Sequence, residues 1–351
     1  MTTITKNFFD KDAFDRDVYA YTLQDGDYSA VVLDRGGIVK NLFVPDKNGN
    51  KIDVVLGYDD MNGYDNNDGY LSALIGRFGN RIEKGQVCLD GKKYQLFCNN
   101  NGNHLHGGKE GFDKKIWNAE IIKTAEGNER LSLTILSPDG EENYPGNLKV
   151  KVIYSLENGA LTIDYEAVSD KTTLINLTNH AYFNLDGSED ILDHLLTMSA
   201  PYVLPTDEGL IPRGEFRATR GTPFDFFEEK PIRAGDELRE QDIDLKYGSG
   251  FDHCFVFDKA RDENAPYAIL RSEKSGITMK CYTDMPSVHL YCGNFLNQKG
   301  KGGKYYGRCA GLCLETEALP NNPNVPSYME YCSSMYKAGQ VYRFSAKYSF
   351  K

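Results

Sequence analysis

Apolar and polar residues alternate along much of the chain, which is the pattern of β-strands that bury one face and expose the other. An early pair of strands is predicted at Tyr28–Val32 and Ile38–Val44, joined by a turn at Arg35–Gly37. The alternation returns at intervals up to the C-terminus, where Gln340–Phe350 predicts a final strand. We therefore expect strands to dominate the secondary structure.

The clearest hairpin joins Leu148–Leu156 to Ala160–Ala167, because the Asn158-Gly159 dipeptide between them favours the positive φ angles of a tight turn. Helical periodicity is scarce and is best developed at Ala234–Asp242. Further strands are predicted at Leu131–Leu136, Thr172–Leu177, Ile277–Tyr282 and Ser287–Tyr291.

The predicted strands follow one another without an obvious boundary. The sequence has no internal repeat, low-complexity block or Pro/Ser-rich linker that would divide it. Many short strands separated by turn residues are typical of a sandwich of two sheets. We expect an all-β fold, a large antiparallel β-sandwich with few short helices, formed by residues 1–351 as a single domain.

Composition narrows the possible partners of this fold. The 351 residues include 51 Asp and Glu against 40 Lys and Arg, a net charge of -11 that disfavours nucleic acid and, more weakly, phosphorylated or acidic substrates. A run of apolar residues long enough for a membrane helix is missing, and the N-terminus lacks the apolar core of a secretory signal. We expect a cytoplasmic protein that does not insert into membranes.

Eight cysteines are present, but none of them form a C-x-x-C pair. In a cytoplasmic protein such residues are reduced and pack as small apolar side chains. We expect buried, unreactive thiols rather than disulfides or a zinc site.

The segment Gly76–Ile82 holds Arg77 and Arg81 among small residues. A guanidinium group in this setting could present its fork of donors to a ligand close to the backbone. The alternative is that each arginine forms a surface salt bridge. The Gly-Lys-Gly-Gly run at Gly300–Gly303 lacks the spacing of a phosphate-binding loop and is interpreted as a mobile surface loop.

Two histidines alternate in Asn99–Gly108, and an extended backbone would place His104 and His106 on one face. This pair invites a metal interpretation, with Asp252 or Glu315 as further ligands. A metal site needs all of its ligands at fixed geometry, and the sequence supplies no recognisable spacing for it.

Three later segments hold groups suited to proton transfer. His180 lies among strand-forming aromatic residues, where a core histidine bonded to a backbone carbonyl is the alternative. Asp252 and His253 follow a Gly-rich turn, where a loop cap is the alternative. Glu315 follows apolar residues, so burial in a strand would raise its pKa towards that of a useful base, whereas an edge-strand Glu paired with Lys is the alternative. Imidazoles, carboxylates and an arginine together suit a polyhydroxy ligand.

The order of several motifs resembles that of the galactose mutarotase (aldose 1-epimerase) family. These motifs are GRFGNRI, NHLHGG, NHAYFNL and LETEALP, supported by SPDGEENYPGNL and VLPTDEGLIPRG. The resemblance extends from about Gly36 to the C-terminus. It implies the family's β-supersandwich fold, the interconversion of α- and β-anomers of galactose- or glucose-type aldoses, and no metal or organic cofactor.

The resemblance also implies roles for individual residues. Glu315 matches the general base, His180 the general acid, and His106 an assisting active-site histidine. A second group is implied to bind sugar hydroxyls, and it consists of Asn80, Arg81, Asp252 and His289.

This chain departs from the family pattern at three places. Related enzymes often carry Gln at the position of His289, where an imidazole bears on the sugar preference. Many relatives have Pro-Asp where this chain has Pro320-Asn321-Asn322. The lysine-rich segment Gln298–Lys304 is an insert expected at the rim of the sugar site. Three alternatives stay open: a non-catalytic carbohydrate-binding β-sandwich, an epimerase of phosphosugars or disaccharides, and a metal-dependent lyase or hydrolase. The sequence indicates neither the preferred sugar nor the oligomeric state.

Overall fold

Antiparallel strands make up most of the structure, a computed structural model that describes residues 1–66 and 69–351. The strands up to residue 174 are β1 (Thr3–Lys11), β2 (Asp17–Asp25), β3 (Tyr28–Leu33), β4 (Val39–Pro45), β5 (Lys51–Asp53), β6 (Leu74–Ile75), β7 (Arg81–Ile82), β8 (Gln86–Leu89), β9 (Lys92–Gln95), β10 (His104–Leu105), β11 (Asn118–Lys123), β12 (Glu129–Ser137), β13 (Leu148–Glu157), β14 (Ala160–Ser169) and β15 (Thr173–Leu174).

The later strands are β16 (Thr178–Asn179), β17 (Tyr182–Phe183), β18 (Leu195–Met198), β19 (Tyr202–Val203), β20 (Arg217–Ala218), β21 (Lys230–Pro231), β22 (Asp252–Val256), β23 (Ala268–Arg271), β24 (Thr278–Thr283), β25 (Ser287–Tyr291), β26 (Gln298–Lys299), β27 (Tyr305–Tyr306), β28 (Leu312–Glu317), β29 (Met335–Tyr336) and β30 (Val341–Phe350). The α-helices of the described residues are short, and they are α1 (Met61–Asp65), α2 (Arg233–Asp236), α3 (Ile243–Gly248) and α4 (Pro326–Met329).

Three large sheets contain most of these strands. The order is β1-β2-β3-β4-β5 in the first, β11-β12-β13-β14-β30-β24-β23-β18-β21 in the second, and β17-β28-β25-β22-β19-β20 in the third. The all-β antiparallel sandwich predicted from the alternation is therefore confirmed. The predicted hairpin is confirmed as β13 and β14, with Glu157 paired to Ala160 and positive φ angles at Asn158 and Gly159.

The second and third sheets pack face to face through the hydrophobic core. The ring of Tyr348 in β30 lies 4.9 Å from that of Phe183 in β17, and its hydroxyl donates a hydrogen bond of 3.0 Å to the carbonyl of Leu314 in β28. Buried side chains of this size each contribute about 1.5–3 kcal/mol to the free energy of unfolding. The contact fixes β28 firmly against the core.

Alternation along β28 determines which of its side chains lie on the face of the third sheet that is turned away from the core. Leu312 and Leu314 belong to the hydrophobic core, so Glu315 and Glu317 lie on the opposite face. β28 pairs with β17 on one side and with β25 on the other, so it is an interior strand of the sheet. The alternative of an edge-strand Glu is wrong.

Several local predictions are corrected. The helix expected at Ala234–Asp242 is replaced by α2, a series of turns and α3, whose N-terminus is capped by the Asp242 side chain. In Gly300–Gly303, Lys301 is partly buried and donates to the carboxylate of Asp53 at 2.6 Å and to two backbone carbonyls. This lysine anchors the segment to β5, while Gly302 and Gly303 lie at the surface as expected.

The cysteines are free, as predicted, but they are not all buried. Cys88 and Cys98 are exposed, and Cys332 is partly exposed. Across residues 1–66 and 69–351, none of the helices has the length and apolar character needed to cross a membrane.

Candidate active site

One cavity of about 510 Å³ opens on the outer face of the third sheet. All seven residues that the sequence singled out for catalysis or sugar binding line it: Asn80, Arg81, His106, His180, Asp252, His289 and Glu315. They come from segments spread over more than 230 positions of the sequence, and the sheet register brings them together.

Three of these residues come from adjacent strands of the third sheet. His289 in β25 is directly paired with Glu315 in β28, and Asp252 in β22 is paired with Tyr291. Side chains paired in antiparallel strands lie on one face of the sheet. The floor of the cavity is thus a row formed by Glu315, His289 and Asp252.

A second wall comes from the short pair β7 and β10. Asn80 precedes β7 with a φ of 63°, and His106 follows β10 with a φ of 50°, so both leave their strands in the left-handed conformation. Two hydrogen bonds of 3.1 Å connect them: the Asn80 N–H donates to Nδ1 of His106, and the His106 N–H donates to the Asn80 carbonyl. The imidazole of His106 is fixed against the neighbouring backbone.

His180 follows β16 and brings its imidazole beside Glu315. Its Nε2 lies 3.5 Å from Oε1 of Glu315, and its ring centroid lies 5.2 Å from that of His106. The second oxygen of Glu315, Oε2, is buried without a hydrogen-bond partner among the described residues. His180 is buried, as the alternative of a core histidine requires, but its ring also lines the cavity.

Burial controls the proton affinities of this pair. The pKa of Glu315 is raised well above its usual value by burial and by the charges of Glu317 and Asp252, as the sequence had suggested for a buried strand carboxylate. Burial lowers the pKa of His180 to about 4. In the empty cavity the proton of the pair is therefore favoured on Glu315 over His180.

Asp252 is held in its charged form. Burial by itself would raise its pKa, but the hydrogen bond with His289 and the charge of Arg81 bring that pKa well below its usual value. Oδ1 of Asp252 lies 2.6 Å from Nε2 of His289, and Oδ2 lies 3.9 Å from the Arg81 guanidinium. A permanent carboxylate beside a guanidinium is suited to binding adjacent hydroxyl groups.

Three residues near these motifs do not reach the cavity. His104 was expected to share a face with His106, but its Nδ1–H donates to the Phe97 carbonyl and its Nε2 accepts from the Tyr144 hydroxyl, because the turn at His106 ends the extended segment. Arg77 is buried rather than in a surface salt bridge, and its guanidinium donates to backbone carbonyls, that of Ser137 included. His253 faces the other side of β22 and packs against a core ring.

The metal interpretation can be tested on the donor groups. Ligand atoms of His106, His180 and Glu315 lie within 4.8 Å of one another. However, Nδ1 of His106 accepts the Asn80 N–H, so a neutral ring carries its own proton on Nε2 and has no free lone pair. A histidine that binds a metal uses its second nitrogen as a donor instead. The cluster therefore does not suit a metal ion.

Comparison with known proteins agrees with the motifs and the fold. A model of the aldose 1-epimerase family matches residues 19–349. The chain belongs to the aldose 1-epimerase family. The galactose mutarotase of Bos taurus is 40% identical to this family member over 337 residues, which are 95% of this chain and 94% of the relative. The aldose 1-epimerase of Escherichia coli strain K12 is 34% identical over 322 residues, 91% of each chain.

Solved structures of this epimerase family agree as well. The crystal structure of a galactose 1-epimerase from Lactobacillus acidophilus has a TM-score of 0.86 and 28% sequence identity to this chain. The alignment covers 100% of this chain and 99% of that one. A C. elegans homologue of the family has a TM-score of 0.81 at 31% identity, with coverages of 92% and 95%. The resemblance inferred from the motifs is confirmed.

The structure adds residues to the aldose 1-epimerase pocket that sequence reasoning did not single out. Tyr70, Tyr182 and Tyr291 surround the His180 ring, with centroid distances of 5.9, 5.0 and 6.2 Å. Tyr182 belongs to the segment NHAYFNL and Tyr291 to the predicted strand Ser287–Tyr291, and alternation along each could have assigned the tyrosine to the side of the histidine two positions earlier. Two further residues lie beside the lining of the cavity, and they are Cys313 and Glu317.

Proposed function

We propose that the protein interconverts the α- and β-anomers of galactose- or glucose-type aldoses by acid–base opening and reclosure of the sugar ring. The observation that carries this proposal is the adjacent pair of His180 and Glu315, whose Nε2 and Oε1 lie 3.5 Å apart in one wall of the cavity. Membership of the aldose 1-epimerase family makes the protein an isomerase.

The proposed reaction needs two proton transfers at neighbouring atoms. Glu315 takes the proton of the C1 hydroxyl while His180 gives a proton to the ring oxygen, and the bond between C1 and that oxygen breaks to leave an aldehyde. Rotation about the bond between C1 and C2 exposes the other face of the carbonyl. Reclosure reverses both transfers, so the two side chains return to their starting state.

This mechanism uses one proton shared by the pair. The empty cavity favours that proton on Glu315, and ring opening requires it on His180, 3.5 Å away. A hydrogen bond from the C1 hydroxyl to Glu315 would stabilise the carboxylate and so favour the transfer. Each positioned proton-transfer group contributes about 10²–10⁴-fold in rate, so the mechanism calls for no cofactor.

The remaining polar groups are suited to a neutral sugar. We assign Arg81, Asp252 and His289 to its hydroxyls, with His106 as a donor through its Nε2–H, and Asn80 beside them. Among the described residues, Arg81 is the one Lys or Arg that lines the cavity, and it already faces Asp252. A phosphosugar would need a further cation there. The net charge of -11 and the family are consistent with a cytoplasmic enzyme that does not bind nucleic acid.

Polarimetry on freshly dissolved α-galactose and α-glucose tests the proposal. Wild-type protein should accelerate the change in optical rotation, and Glu315→Gln and His180→Asn should each lose about 10²–10⁴-fold in kcat. Glu120→Gln, an exposed carboxylate of β11, is the matched control and should keep full activity. Binding of sugar without any acceleration would indicate a carbohydrate-binding protein, and near wild-type activity in Glu315→Gln would remove Glu315 as the base.

A comparison of substrates tests the sugar class. Galactose, glucose, maltose and glucose 6-phosphate should be measured at equal concentration. The single guanidinium in the cavity predicts that glucose 6-phosphate is the poorest of them, and a higher rate for it than for glucose would contradict the neutral-sugar assignment.

A further inference from the structure

Glu317 is a second buried carboxyl group on the same face of β28 as Glu315, and the proposed mechanism does not use it. It is completely buried and does not line the cavity. Its Oε1 accepts a hydrogen bond of 3.0 Å from Nδ2 of Asn80, while Oε2 has no hydrogen-bond partner among the described residues. Burying a carboxyl group costs free energy unless its oxygens are hydrogen-bonded. The one hydrogen bond that Glu317 accepts, from Asn80, therefore needs a structural reason.

The Asn80 amide has only one orientation that satisfies its neighbours. Its Oδ1 accepts the N–H of Arg81 at 2.8 Å, so this atom must be the oxygen. Nδ2 then points its two hydrogens at Oε1 of Glu317 and at Nδ1 of His289, which lies 3.1 Å away. The side-chain donors of Asn80 are thus fully used within the protein, and Asn80 acts between its neighbours more than as a donor to the sugar.

The tautomer of His289 follows from this orientation. Since Nδ1 accepts the Asn80 amide, the ring carries its proton on Nε2 and donates it to Oδ1 of Asp252 at 2.6 Å. A continuous chain of hydrogen bonds therefore connects Glu317 to Asp252 through Asn80 and His289.

We propose that Glu317 is a positioning residue: by accepting the Asn80 amide it holds His289 as the Nε2–H tautomer and so holds the Asp252 carboxylate in place to meet the sugar hydroxyls. The role for Asp252 rests on the proposed function. The tautomer of His289 does not, because it depends only on contacts within the protein.

The chemistry of Glu317 provides a matched pair of variants. Burial raises the pKa of Glu317 well above its usual value and so favours the neutral acid. Glu317→Gln has nearly the same shape and keeps an oxygen that accepts the Asn80 amide. Glu317→Leu fills similar space but removes the acceptor and leaves a buried N–H unpaired.

Steady-state polarimetry separates positioning from catalysis. Glu317→Leu should raise KM for α-galactose about tenfold with kcat within about twofold of wild type, because Asp252 acts on binding. Glu317→Gln should stay within about twofold of wild type in both constants and should keep the pH profile of kcat/KM. An unchanged KM in Glu317→Leu, or a loss of kcat or a shifted pH profile in Glu317→Gln, would overturn the proposal.

A spectroscopic test does not depend on activity. In wild-type protein labelled with ¹⁵N-histidine, the His289 ring, assigned by its loss in His289→Gln, should show the Nε2–H tautomer at neutral pH. Glu317→Gln should keep that signature, and Glu317→Leu should weaken it. A wild-type Nδ1–H tautomer or an imidazolium would refute the positioning role even if the enzyme is fully active. Wild-type protein without epimerase activity would refute the proposed function while this signature still decides the inference.

Discussion

The Sγ atom of Cys313 lies 3.3 Å from Nδ1 of His180, the ring nitrogen that does not face Glu315. Both Cys313 and Glu315 lie on the cavity side of β28, so this strand contacts both nitrogens of the proposed acid. Burial raises the pKa of the Cys313 thiol well above its usual value, and the group therefore keeps its proton. For Nε2 to receive the proton of Glu315, a neutral His180 must carry its own proton on Nδ1, and the Cys313 sulfur is placed to accept a hydrogen bond from that N–H.

Replacing Cys313 should therefore lower activity through His180. Cys313→Ala removes the acceptor for the Nδ1–H group and should reduce kcat about tenfold with little change in KM, because tautomer control affects the chemical step. Cys313→Ser is the matched control, and its hydroxyl should restore most of kcat. Polarimetry on α-galactose measures both variants. Equal kcat values for wild type and Cys313→Ala would show that the contact does not control His180.

The pH dependence of kcat/KM follows from the proton shared by His180 and Glu315. Burial lowers the pKa of His180 to about 4, so below that pH the pair gains a second proton and has no base. Burial raises the pKa of Glu315, so the pair loses its only proton at a higher pH than an ordinary carboxyl group would, and it then has no acid. These two limits belong to the pair as a unit.

We expect kcat/KM to be flat through neutral pH and to fall about tenfold per pH unit below about pH 4. Initial rates should be corrected for spontaneous mutarotation at each pH. His106 makes a useful comparison, since burial also lowers its pKa and His106→Asn should reduce the plateau without moving the acidic limit. An acidic midpoint near 6.5 would contradict the buried environment assigned to His180.

The sequence predicted those features that depend on local pattern. Alternation located β13, β14 and β25, and the seven residues that the motifs singled out all line the cavity. The sequence did not predict that His104 points away from the cavity, because the orientation of this side chain depends on the left-handed turn at His106. Nor did it predict the burial of Arg77, whose acceptors lie about 60 positions later in the chain. Contacts between distant segments leave no trace in residue spacing.

Removal of metal ions should leave the activity unchanged. Nδ1 of His106 accepts the N–H of Asn80, so the proton on Nε2 would have to be displaced before this ring could bind a metal. Protein dialysed against excess EDTA should show the same kcat and KM for α-galactose as untreated protein, with a known zinc enzyme as the positive control for chelation. Activity that is lost in EDTA and restored by one particular divalent ion would contradict the mechanism.

Asp34, which lies outside the active site, makes the free energy of unfolding depend on pH. Its Oδ1 accepts the N–H of Tyr19 at 2.9 Å, and burial raises its pKa to about 6 from an ordinary value of 3.8. A carboxyl group whose pKa is higher in the folded state stabilises the protein below the unfolded pKa and loses that contribution as the pH rises through the folded one. The free energy of unfolding should therefore decline between about pH 4 and pH 7.

Asp34→Asn keeps the acceptor for Tyr19 but cannot ionise, so it should be more stable than wild type at pH 8 by about 1–2 kcal/mol, after allowance for screening by water. At pH 4 the difference should nearly vanish. Urea unfolding followed by circular dichroism at both pH values measures this change. Asp113, whose pKa burial also raises to about 6, should preserve part of the decline in Asp34→Asn. A variant that is less stable than wild type at pH 8 would show that the Asp34 carboxylate is stabilised by its surroundings, contrary to the desolvation argued from its burial.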